Sequence, residues 1–150
     1  MVNTRVLLVD DEEEFLAFLG RRLKKRGFDV WTAANGLDGL RHLDEHPIDV
    51  VILDVKMPGL GGMETLRNIK LKQPLVEIIM LTGHGLVELA VEGLKLGAFD
   101  YVTKPCDISV LIGKIHDAEK KKKGVEEKTR KAKTEQIIRH PLAIFDGKKE

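Results

Sequence analysis

The sequence predicts an α/β fold: a doubly wound, five-stranded parallel sheet with five helices. Two observations carry that expectation. Short apolar runs of strand length alternate with longer stretches whose apolar residues recur at helical spacing. Runs such as Val6-Leu7-Leu8-Val9 and Val50-Val51-Ile52-Leu53 are apolar at every residue, as strands buried on both faces must be. With 150 residues and 43% hydrophobic content, the chain can bury a core without disulfides.

Arg5 to Val9 forms the first strand and ends at Asp10-Asp11. Phe15, Leu16, Phe18, Leu19 and Leu23 follow at helical spacing, and Gly27 stops that helix. Phe28 to Ala33 suits the second strand. Asn35 caps a helix carrying Leu37, Leu40 and Leu43 on one face, which ends before Pro47. Ile48 to Leu53 is the third strand, with Asp54 at its end. Met63, Leu66 and Ile69 mark a third helix closed off by Pro74. Val76 to Leu81 is a strand ending at Thr82, and Leu86, Ala90, Val91 and Leu94 mark a helix stopped by Gly97. Phe99 to Thr103 is a short strand ending at Lys104-Pro105, and Ile108, Leu111, Ile112 and Ile115 begin the last helix.

The composition shifts near residue 120. From Asp117 onward, eleven Lys/Arg stand against seven Asp/Glu, whereas the preceding residues hold fourteen against seventeen. The run Lys120 to Lys123 closes at Gly124, a helix-stopping glycine. The expected division is therefore a globular domain over 1–120 and a basic, partly helical extension over 121–150. That extension is read as solvated, or as a docking segment continuing the last helix toward a partner.

Several function classes are excluded or disfavoured. A net charge of +1 argues against a polyelectrolyte that binds nucleic acid globally. One cysteine, Cys106, rules out an internal disulfide, and is read as a packing residue. No signal-peptide pattern or apolar membrane span is present, so a cytoplasmic protein is expected. The glycines at 59, 61 and 62 lack a following Gly-Lys-Ser/Thr, so no P-loop is formed. His42 and His46 are an i, i+4 pair without an evident third ligand, and are read as a solvated helix face.

Ligands of open parallel sheets bind at the carboxyl ends of the strands. Those ends supply Asp10, Asp11, Asp54, Thr82 and Lys104. Taken singly, each has an ordinary reading: the aspartates and Thr82 as helix caps, Lys104 as a loop charge. Together they make an inventory for phosphoryl transfer. Three carboxylates call for a hard divalent ion, and an open all-oxygen site favours Mg²⁺. Asp54 is a candidate nucleophile toward phosphorus, with the cation, Lys104 and the Thr82 hydroxyl each taking one phosphoryl oxygen.

The segments Val6-Leu7-Leu8-Val9-Asp10-Asp11-Glu12, Val51 to Gly59, Met80-Leu81-Thr82-Gly83 and Tyr101-Val102-Thr103-Lys104-Pro105 resemble the receiver domains of two-component response regulators, in order and spacing. The resemblance covers roughly residues 3 to 120 and implies the flavodoxin-like, receiver-domain topology. It implies that Asp54 is the phosphoacceptor, charged by a sensor histidine kinase or a histidine phosphotransfer protein. Mg²⁺ would be held by Asp11, Asp54 and the backbone carbonyl of Lys56, with Asp10 acting mainly through water. Thr82 and Tyr101 resemble the switch pair, Lys104 the phosphate-binding lysine, and the Lys104–Pro105 peptide is expected to be cis. Phosphorylation would remodel the face of helix 4, strand 5 and helix 5, a surface through which the family also forms homodimers.

Lys56 and His84 occupy the positions that tune phosphoryl lifetime in that family. Lys56 is expected to screen the phosphoryl group and His84 to orient a water, against the competing reading that both point into solvent. Kinase pairing is expected from first-helix surface residues such as Phe15, Leu16 and Leu19. The expected product is a stand-alone signalling domain rather than an enzyme. The alternatives are the amino-terminal receiver of a larger regulator, or an aspartyl-phosphate phosphohydrolase, which Lys56 disfavours because an acid/base carboxylate belongs there. A transcription factor binding DNA within this chain is disfavoured by the absence of a helix–turn–helix pattern.

Overall fold

The computed structural model describes residues 3–57, 61–83 and 87–139. Strand and helix alternate throughout: β1 (Arg5–Val9), α1 (Glu13–Lys25), β2 (Asp29–Ala33), α2 (Gly36–Glu45), β3 (Val50–Asp54), α3 (Gly62–Lys72), β4 (Glu77–Thr82), α4 (Val87–Lys95), β5 (Asp100–Thr103) and α5 (Ile108–Arg139). All strands pair in parallel, in the order β2-β1-β3-β4-β5. The winding reverses between β1 and β3, which opens a crevice at their carboxyl ends.

Successive strand residues point to opposite faces, so the sheet builds two cores. Val6, Leu8, Val50, Ile52, Ile79 and Leu81 pack with Leu16, Leu19 and Leu23 of α1 and Leu111, Ile115 and Ala118 of α5. Leu7, Val9, Val51, Leu53, Ile78 and Met80 pack with Leu43 of α2, Leu66 and Ile69 of α3 and Ala90 of α4. Asn35 caps α2 as expected, its Oδ1 accepting from the Asp38 N–H at 2.9 Å. Gly27 and Gly97 follow α1 and α4 with φ of +93° and +109°, a backbone that glycine alone adopts without strain.

The inner faces of two helices differ in part from the expected ones. Leu37 is 69% exposed, and Val91 and Leu94 are also exposed. Leu43 and Ala90 are buried as expected and Leu40 packs against the core, but the rest of the buried stripes is Gly36 and Gly39 in α2 and Gly93 in α4, and Leu86 lies outside the described residues. Both helices lie so close to the sheet that a Cβ on Gly39 would meet Val9 Cγ2 at 3.0 Å, and one on Gly93 would meet Met80 Sδ at 2.1 Å. Close approach selects small residues, which a search for large apolar side chains overlooks.

Gly124 does not stop the last helix. α5 runs for 32 residues, straight through residue 120. An exposed helical glycine costs only about 1 kcal/mol, and ion pairs span the region: Lys123 with Glu119 at 3.6 Å and Lys122 with Glu126 at 3.5 Å. Lys122 is itself buried and reaches Asp49 Oδ1 at 3.1 Å, so the packed part of α5 extends past the expected boundary. Beyond it the described helix is almost wholly solvated. Of the expected apolar cluster, Ile137 and Ile138 are exposed, and Leu142, Ile144 and Phe145 lie outside the described residues.

Candidate functional site

Each side chain of the site is delivered by the end of a strand. β1 ends at Val9, and the next residue, Asp10, is 1% exposed. Asp54 is the last residue of β3 and Thr82 the last of β4, and both are buried. Lys104 follows β5 and precedes a cis peptide to Pro105. β1, β3 and β4 are neighbours in the sheet, so Asp10, Asp54 and Thr82 share one edge.

The side chains converge as the chemistry requires. Lys104 Nζ lies 2.6 Å from Asp10 Oδ2, 3.2 Å from Glu12 Oε1 and 3.8 Å from Asp54 Oδ2. It also sits 4.5 Å from the ring centre of Phe15, a cation–π contact that fixes the head group. The Glu12 N–H donates to Asp10 Oδ1 at 2.9 Å, and the Lys56 N–H to Asp54 Oδ1 at 3.2 Å. Asp10, Asp11 and Asp54 bring carboxylate oxygens within 4.8 Å of one another. Below them Gly62 is indispensable, because a Cβ there would come within 2.5 Å of the Asp54 carbonyl.

The electrostatics leave the site short of positive charge. Burial first, then the negative charge of Asp10, pushes the Asp54 carboxyl up to about 7, against the opposing pull of Lys104 and the Lys56 N–H. The Lys104 ammonium loses solvation, but its hydrogen bonds to Asp10 and Glu12 and the negative charges of Asp10 and Asp54 together outweigh that and hold its pKa above the ordinary value. An all-oxygen donor set in which Asp10 and Asp11 both push the Asp54 carboxyl up fits a hard divalent cation. Thr82 Oγ1 is buried with no hydrogen-bond partner among the described residues. A hydroxyl left in that condition is a donor waiting for an acceptor.

The chain's kinship follows from this edge and its sheet. The family model of the response regulator receiver domain matches residues 6–116. This chain belongs to that family. A solved receiver domain from Clostridium thermocellum superposes with a TM-score of 0.78 at 40% identity, covering 81% of this chain and 98% of that one. Sporulation initiation phosphotransferase F of Bacillus subtilis is 35% identical over 81% of this chain and 94% of its own. The transcriptional regulatory protein GlrR of Escherichia coli is 38% identical over 93% of this chain but only 31% of its own length. The receiver chain thus spans less than a third of several larger regulators that it matches.

Among the remaining expected residues, Tyr101 is half-buried on β5, packed against the core that contains Met80 and Ala90. The Lys56 side chain is exposed, and His84 lies outside the described residues. Leu16 and Leu19, expected on the partner-facing surface of α1, are instead 7% and 1% exposed core residues. Phe15 is half-buried beneath Lys104, and Phe18 is the exposed apolar residue of that helix. Glu12, the second carboxylate on Lys104, was not singled out, although it adjoins Asp10-Asp11 in the sequence. Cys106 packs against the α1/α5 core, and burial pushes its thiol pKa up. Among the described residues no helix is long and apolar enough to cross a membrane.

Proposed function

We propose that this receiver accepts a phosphoryl group on Asp54 from a histidine kinase or histidine phosphotransfer protein, in a Mg²⁺-dependent reaction, and thereby switches a protein-interaction surface. The observation that carries the reading is the buried Asp54 carboxylate, with Lys104 at 3.8 Å and, on the neighbouring strand, a buried Thr82 hydroxyl that has no partner among the described residues. Asp10, Asp11, Asp54 and the Lys56 carbonyl would hold the cation. When bound, it supplies positive charge that favours the ionised carboxylates and neutralises phosphoryl oxygens.

An Asp54 carboxylate oxygen attacks phosphorus, the new O–P bond forms, and the P–N bond to the donor imidazole breaks, its electron pair leaving with the nitrogen. Lys104 exchanges part of its pairing with Asp10 for a phosphoryl oxygen, so charge lost in one contact is regained in the other. Thr82 Oγ1 gains the acceptor it lacks. Movement of that hydroxyl toward the phosphoryl group vacates space beside β4, into which the Tyr101 ring on the adjacent strand can turn. That couples the site to the surface of α4, β5 and α5. The Lys56 side chain and His84 are assigned to setting how fast water reverses the modification.

A second reading, the receiver portion of a longer regulator, is favoured by the match to GlrR running over 140 residues, well past the domain. The size of the native protein on an immunoblot separates the two. The function is tested by intact-protein mass after incubation with acetyl phosphate. A single phosphoryl adduct is expected with Mg²⁺, absent with chelator and absent in Asp54→Ala. An adduct that persists in Asp54→Ala overturns the assignment.

A further inference from the structure

We propose that His42, Glu45 and His46, at the carboxyl end of α2, form a second metal site, selective for a borderline divalent transition-metal ion of the Zn²⁺ class. The site lies outside the phosphoryl-transfer residues and does not rest on their assignment.

The helix end builds it. Pro47 disfavours helical backbone at the residue before it, and His46 accordingly adopts φ −131° and ψ 146° while its N–H still bonds the His42 carbonyl. The His46 ring is thereby stacked on Trp31 of the edge strand β2, with centroids 4.9 Å apart and planes at 22°. The His42 ring stacks on His46 in turn, at 5.6 Å and 26°. The stack gathers the two imidazoles side by side at the helix end before any ligand arrives. Glu45 Oε2 lies 4.0 Å from His46 Nε2. One ligand atom from each of the three residues falls within 4.8 Å of the others. His42 Nδ1 is buried and has no hydrogen-bond partner among the described residues, a second sign of unmet polar capacity.

Zn²⁺–N bonds of about 2.0–2.1 Å in a tetrahedron place donor atoms roughly 3.3 Å apart. The three ligand atoms, within 4.8 Å of one another, need close by no more than about 1.5 Å to reach that spacing. Two imidazoles and one carboxylate suit Zn²⁺, Ni²⁺ or Cu²⁺ and not Mg²⁺, which prefers oxygen donors such as those of Asp10, Asp11 and Asp54. Three protein ligands leave one tetrahedral position for water.

The test uses the full chain in excess Mg²⁺, which fills the carboxylate site. Zn²⁺ is titrated calorimetrically, and Cu²⁺ is followed by quenching of Trp31, the one tryptophan of the sequence. The expected result is one Zn²⁺ per chain, Cu²⁺ quenching that prior Zn²⁺ prevents, and affinity lowered at least about tenfold in both His42→Gln and Glu45→Ala. Glu45 is exposed, so its substitution leaves the fold intact, and circular dichroism checks both variants. An unchanged titration in either variant, or Zn²⁺ binding no tighter than about 100 µM in the wild type, overturns the site.

Discussion

The two ends of β3 carry an aspartate each, and the protein treats them oppositely. Asp49, just before the strand, receives the Arg5 N–H at 2.8 Å, Arg5 Nη2 at 2.9 Å and Lys122 Nζ at 3.1 Å. Burial alone would raise its pKa, but these donors outweigh it and hold the carboxyl below the ordinary range. Glu77, which opens the next strand, is similarly bracketed by Lys70 at 3.4 Å and Lys121 at 2.9 Å. Asp54, at the other end of β3, has one backbone donor and a lysine already committed to Asp10, and its carboxyl is raised to about 7. The amino edge of the sheet is neutralised for stability. The carboxyl edge is left with excess negative charge and, among the described residues, a hydroxyl without a partner, as the proposed binding of a cation and a phosphoryl group requires.

The contrast breaks most visibly at Asp49. Asp49→Asn leaves Arg5 without its close counter-charge and the buried Lys122 with Glu126 alone, and about 3 kcal/mol of stability is expected to be lost in urea unfolding at neutral pH. Because the folded pKa of Asp49 is depressed, the contribution it makes is present above the ordinary carboxylate pKa and disappears as pH falls through the folded value.

Asp54→Asn should act in the other direction. A raised folded pKa means the native state binds the proton more tightly than the unfolded chain, so wild-type stability declines as pH rises from about 4 through about 7. The variant escapes that decline, and its melting temperature should exceed wild type by about 3 °C at pH 8, with the gap closing toward pH 4. Saturating Mg²⁺ should shrink the gap by stabilising the wild type alone.

Thr82→Val removes a buried hydroxyl that has no partner among the described residues, while keeping its shape. Stability should rise by about 1 kcal/mol, while the response of the α4–β5–α5 surface to phosphorylation is lost. Amide exchange with and without beryllium fluoride reads the second effect. The smallest change expected is in Gly124→Ala, where an added Cβ meets nothing within 4 Å. A gain of about 0.5–1 kcal/mol in helix stability, seen as slower amide exchange on both sides of residue 124, would mark α5 as one continuous helix. No change in exchange would place a break there.

The sequence revealed the sheet and the residues gathered at its carboxyl edge because both are local signals. Fully apolar runs mark strands buried on two faces, and the residue after each run is the one the crevice receives, so Asp10, Asp54, Thr82 and Lys104 could be read directly. The opposite edge was illegible, because Asp49 and Lys122 are 73 residues apart and no spacing rule joins them. Helix orientation failed where backbone proximity, not side-chain size, decides the inner face, as at Gly39 and Gly93. Leu16 and Leu19 were misplaced for a related reason: family surface positions do not reveal which side of α1 meets the sheet. Gly124 misled because its local cost is only about 1 kcal/mol, and the buried Lys122–Asp49 contact with the flanking ion pairs offsets it.

The central claim is that the electrostatically unsatisfied end of β3 is the phosphoacceptor. It is tested most directly by phosphorylating the protein with acetyl phosphate and Mg²⁺, reducing it with borohydride, and sequencing the peptides by mass spectrometry. An acyl phosphate is reduced to an alcohol, so homoserine should appear at position 54 and at no other aspartate. Homoserine at Asp10 or Asp11, or adduct without homoserine at 54, would contradict the account.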